Sequence, residues 1–170
     1  MTLAEHREAF EVDGSLRDLY VLHTTIADWQ MLLDHLKAAP YRISYTLDGN
    51  VAELPAQVGD IFAARHLSAP LLSILLEGMQ LNCHFFTAEQ IEFDLDPRQV
   101  TTEARYEALL RFIVDLGHVL GRRLILTEEN APEAVWFDLP IGALAPTYMR
   151  GSKAGSAPSD HRMPRTSAAG

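Results

Sequence analysis

Met79-Gln80-Leu81-Asn82-Cys83-His84-Phe85-Phe86, followed after a short link by Ile91-Glu92-Phe93-Asp94-Leu95-Asp96, is the stretch that decides the fold. In both runs apolar and polar residues alternate, the period of a strand whose side chains point to opposite faces. Met79, Leu81, Cys83 and Phe85 share one face, and Gln80, Asn82, His84 and Phe86 the other. In the second run Ile91, Phe93 and Leu95 alternate with Glu92, Asp94 and Asp96. Leu71 to Leu76 ahead of them is short and apolar, and Glu77-Gly78 is a turn, so the three runs read as an antiparallel meander.

The same reading extends outward. Leu16 to His23 is a buried strand, with Leu19 and Val21 on one face and Tyr20 and Leu22 on the other. Thr24 or Thr25 caps a helix striped by Ile26, Trp29, Leu32, Leu33 and Leu36, and Thr25 with Asp28 resembles a capping box. Pro40 ends that helix near Ala39. Tyr41 to Leu47 alternates as a half-buried strand, Asp48-Gly49-Asn50 is a hairpin turn, and Val51 to Leu54 is a short return. Pro55 suits the first turn of a second helix carrying Val58, Ile61, Phe62 and Arg65 on one side.

After Asp96-Pro97 breaks the sheet, Thr101 or Thr102 caps the longest helix. Its buried stripe is Tyr106, Leu109, Leu110, Ile113, Leu116 and Leu120, and Gly121 sits at its C-terminal cap. Leu124 to Leu126 and Val135 to Leu139 are the last strands, with Glu128 to Pro132 as a loop. Residues 1–14 are polar and mixed, a short helix that frays. The expectation is an α+β fold: a mostly antiparallel sheet with about three helices on one face. One domain covers 1–149, and 150–170, rich in Gly, Ser and Ala, forms a disordered tail.

Charge and composition bound the function. The net charge is −9; residues 151–170 hold three cations against one carboxylate, +2, so the first 150 residues carry −11. An acidic body lacks the clustered Lys and Arg that nucleic-acid binding needs, and it suits a basic protein partner. The longest apolar run, Ala69 to Leu76, is far short of the ~20 residues that span a bilayer, so no membrane association is expected. The N-terminus lacks a basic region followed by an apolar run, and the single cysteine, Cys83, allows no disulfide; both point to the cytoplasm.

No nucleophile elbow, phosphate loop, dinucleotide fingerprint or paired-histidine zinc motif occurs, and no cofactor is expected. His23, His35, His66 and His118 are scattered with no ligand spacing, Trp29 and Trp136 belong to the core, and Cys83 is a small buried hydrophobe. The candidate binding residues are Gln80, Asn82, His84, Glu92, Asp94 and Asp96, brought side by side if their strands pair. Three readings compete. The first is a non-enzymatic acidic face that docks a protein partner, its carboxylates exposed, splayed and metal-free. The second is a metal-assisted or acid–base enzyme using His84 with Glu92 and Asp94. The third is a structural homo-oligomer. The small acidic α+β build with a two-sided meander is similar in style to bacterial toxin-neutralising immunity proteins, and that likeness implies a toxin as partner.

Overall fold

The computed structural model describes residues 1–149. The expected tail at 150–170 lies outside the described residues. Among the described residues nine strands form one antiparallel sheet: β1 (Arg17–Leu22), β2 (Arg42–Leu47), β3 (Asn50–Val51), β4 (Pro70–Leu76), β5 (Met79–His84), β6 (Gln90–Leu95), β7 (Leu124–Glu128), β8 (Ala131–Leu139) and β9 (Thr147–Tyr148). Their order is β3-β2-β4-β5-β6-β1-β7-β8-β9. The helices are α1 (Ile26–Ala38), α2 (Val58–Ala64) and α3 (Glu103–Leu120), with single 3-10 turns at Arg7–Phe10 and Pro97–Gln99. This is the α+β architecture read from the sequence, with the meander β4-β5-β6 at its centre.

Local chemistry sets the boundaries. Thr25 and Asp28 close the capping box of α1, and Asp28 also takes both arms of Arg122 at 3.0 and 3.1 Å, tying the start of α1 to the chain after α3. Thr102 caps α3, and Gly121 ends it in the left-handed region that a side chain disfavours. Asp48-Gly49 and Glu77-Gly78 each place two successive residues at positive φ, the twist a two-residue hairpin requires.

The helices cover the sheet face carrying Leu19, Val21, Leu72, Ile74, Leu81, Phe93 and Leu126, all essentially fully buried. Phe93 of β6 meets Phe112 of α3 edge to face at 5.7 Å. Trp29 of α1 stacks on Phe85 and donates its indole N–H to the Thr87 carbonyl. The helix approaches closely where Gly117 passes β8; a Cβ there would sit 2.5 Å from Leu139 Cδ2.

Several details depart from the sequence reading. The N-terminal segment is packed: Ala9 and Phe10 are buried, and the buried Arg17 guanidinium donates to the Ala9, Glu11 and Leu16 carbonyls. Pro55 precedes α2, which begins at Val58, because Gln30 of α1 accepts the Val58 amide at 2.8 Å. Arg65 follows α2 and donates to the Phe85 and Phe86 carbonyls. The expected loop at 128–132 shrinks to the turn Glu129-Asn130, with Asn130 at positive φ. Leu110 is only half-buried, whereas Phe112, absent from the predicted stripe, is fully buried.

Candidate functional site

The pleat leaves one sheet face free of helices, and register decides what lies there. Asn82 of β5 pairs with Ser73 of β4 and with Asp94 of β6; Asp94 in turn pairs with Asp18 of β1, and Asp18 with Thr127 of β7. Ser44 of β2 opposes Ser73, so one polar row crosses six strands. The next row runs Leu71, His84, Glu92, Tyr20, Ile125.

Hydrogen bonds link these side chains. Ser73 Oγ donates to Asn82 Oδ1 at 3.0 Å, Asn82 Nδ2 to Asp94 Oδ1 at 2.8 Å, and Gln80 Nε2 to Asn82 Oδ1 at 2.8 Å. The second Asp94 oxygen lies 2.6 Å from His84 Nε2. Asp18 Oδ2 accepts the Tyr20 hydroxyl at 2.8 Å and the Asn130 amide at 2.7 Å. The carboxylates are therefore not splayed into solvent as expected: Asp94 is 16% exposed and His84 27%. The sequence suggested a loose surface because pattern alone does not reveal that neighbouring polar side chains satisfy and cover one another.

Five of the six predicted residues come together: Gln80, Asn82, His84, Glu92 and Asp94. Asp96 stands at the rim, where it caps the Pro97–Gln99 turn and pairs with Arg98 at 2.7 Å. Asp18 and Tyr20 were missed. Their positions on alternate sites of β1 are visible in the sequence, but only the sheet order, with β1 beside β6, brings them to the cluster. Phe86, which strand parity sets on the His84 side, is exposed, and its ring lies parallel to the His84 imidazole at 4.9 Å.

Crowding shifts the titrations. The Asp94 hydrogen bond raises the His84 pKa above its ordinary value, with Glu92 and Asp18 adding to the effect against burial. Burial, and then the Asp18 charge, push Glu92 above the ordinary carboxylate value. Burial and the Asp18 bond hold the Tyr20 phenol well up. Cys83 faces the helices, fully buried, and burial pushes its thiol far up, so it is no nucleophile. Among the described residues no three His, Cys, Asp or Glu side chains are grouped to hold a metal ion.

Two concavities flank the cluster. One, of about 410 Å³, is lined by Leu16, Gln80, Asn82, Asp94, Asp96 and Gln99. The other, of about 310 Å³, lies among Arg65, Ser68, Pro70, His84 and Phe86. Among the described residues no helix is long and apolar enough to cross a membrane.

No protein-family model matches the chain, and neither a curated protein nor a solved structure is significantly similar to it.

Proposed function

We propose that this protein is a non-enzymatic binding domain whose helix-free sheet face receives a basic segment of a protein partner. One observation carries the reading: Asp94 directly opposes Asp18, Glu92 lies in the adjacent row, and His84 is the one ionisable cation of that cluster. Like charges facing each other across a strand pair destabilise a sheet. A partner's Lys or Arg side chains would relieve that repulsion on binding. The polar row spans roughly 24 Å at ordinary strand spacing, compatible with a standard-sized interface. Toxin neutralisation in the manner of immunity proteins is one specific form of this function.

Calorimetry with a ten-residue oligo-arginine peptide tests it. Wild-type protein should bind with an affinity that falls steeply as salt rises, and the double variant Glu92→Gln/Asp94→Asn should lose most of it. Equal binding by both proteins would remove the face from the account.

The 2.6 Å His84–Asp94 contact favours a second reading, acid–base catalysis, because a carboxylate-oriented imidazole is the usual general base. Against it, the Ser73 and Tyr20 hydroxyls of the network donate to Asn82 and Asp18 and not to His84. A turnover that His84→Gln abolishes while oligo-arginine binding persists would favour catalysis over docking.

A further inference from the structure

On the helix-covered side of the sheet the N-terminal segment lies over the core as a strap, held by contacts of different kinds. His6 is buried, its Nδ1 2.6 Å from the Tyr106 hydroxyl of α3. Its ring packs edge-on to Phe137 of β8 at 5.3 Å and against Tyr148 of β9 at 4.3 Å. The Leu3 amide donates to the Glu103 carboxylate at 3.0 Å. Farther along, Arg17 grips the Ala9 and Glu11 carbonyls, and Gly14, at positive φ with open space around it, follows. Beside the strap is a cleft of about 520 Å³, walled by Leu3, Arg7 and Phe10 on one side and Pro97, Val100 and Glu103 on the other. The strap therefore does not lie flush on the body along its length.

We propose that residues 1–8 form a latch, pinned by His6 in the Tyr106–Phe137–Tyr148 pocket, that acid releases while the Arg17 clamp holds the chain behind it. An imidazolium would carry its charge into an aromatic pocket, where its Nδ1 could only donate to the Tyr106 hydroxyl. The groups facing His6 are few. α3 contributes Tyr106 and Glu103, β9 contributes Tyr148, β8 contributes the uncharged Phe137, and the strap itself contributes Glu5 and the Met1 amino group. Burial is the largest influence and holds the His6 pKa below 6.5; the Glu5 and Glu103 charges oppose it only in part. The sign follows. The latched form binds fewer protons than the open form, so latch stability is present above pH 6.5 and is lost as pH falls through the folded pKa. Opening uncovers the Tyr106–Phe137–Tyr148 aromatic pocket without requiring the sheet to unfold.

Native-state hydrogen exchange between pH 7 and 5 tests this at the amides of Leu3, His6 and Ala9, which are bonded to Glu103, Leu3 and His6. After correction for intrinsic rates, their opening constants should rise as pH falls from 6.5, by at most about tenfold per pH unit, and level off below the folded His6 pKa. The rise should be absent in His6→Gln, while amides of β1 and α3 stay protected. A rise of the same size in His6→Gln, no rise in the wild type, or equal loss of protection throughout the core would each overturn the latch. Where His6→Gln does not fold, an NMR titration of the wild-type His6 ring decides: a pKa below 6.5 supports the latch, and one at or above 6.5 overturns it.

Discussion

Asp94 of β6 stands directly opposite Asp18 of β1 while holding His84 Nε2 at 2.6 Å, so one carboxylate faces both a like charge and its counterion. A fold under selection for stability alone would gain by replacing such a pair, because opposed like charges cost free energy that apolar or mixed-charge pairs do not.

Glu92→Gln should therefore raise the melting temperature at pH 7. The folded protein holds the Glu92 pKa above 4.5, chiefly through burial and then Asp18, so ionisation at neutral pH works against folding. The advantage of Gln should shrink as pH falls through the folded pKa and vanish below 4.5, where the wild-type carboxyl is protonated in both states. Thermal melts of the two proteins from pH 7 to 4 measure this; a variant less stable at pH 7 would mean that the Glu92 charge has a stabilising partner.

His84 runs the other way. Its folded pKa lies above 6.5, first because of the Asp94 bond, so its contribution is complete below 6.5 and is lost as pH rises through the folded value. In Asp94→Asn the His84 resonances should titrate at lower pH than in the wild type. Stability should also change less between pH 6 and 8. An unchanged His84 titration would show that Asp94 does not set it.

Packing predictions concern α3. Ile113→Ala should cost about 2–5 kcal/mol, because Ile113 is fully enclosed, and Leu110→Ala clearly less, because Leu110 keeps part of its surface in water. Denaturant unfolding of the two variants gives the comparison, and equal losses would contradict this placement.

Gly117→Ala should cost about 1–3 kcal/mol by driving a methyl group into Leu139, and Leu139→Val should recover part of the loss in the double variant. Additive losses in the same unfolding experiment would mean that the two side chains do not collide.

Most of the fold was legible because its signals are local. The alternation from Met79 to Leu95, the Gly-containing hairpin turns, the Thr25–Asp28 box and the Gly121 cap each act within a few residues. What was hidden depends on distant partners. Gln30 fixes the start of α2, Arg17 anchors the N-terminal segment, and a two-residue edge strand such as Thr147–Tyr148 has no period to detect. The site was half legible for the same reason. Strand parity placed Gln80, Asn82, His84, Glu92 and Asp94 on one face, but Asp18 and Tyr20 reach them only because β1, far earlier in the chain, inserts between β6 and β7.

The most direct test of the acidic face is an amide NMR titration of the wild-type protein with oligo-arginine peptide at low salt. The account predicts shift changes concentrated at Asp18, Asn82, His84, Glu92 and Asp94, fading as salt is added. Changes centred elsewhere, for example on Glu128 and Glu129 at the end of β7, with that sheet face unperturbed, would contradict it.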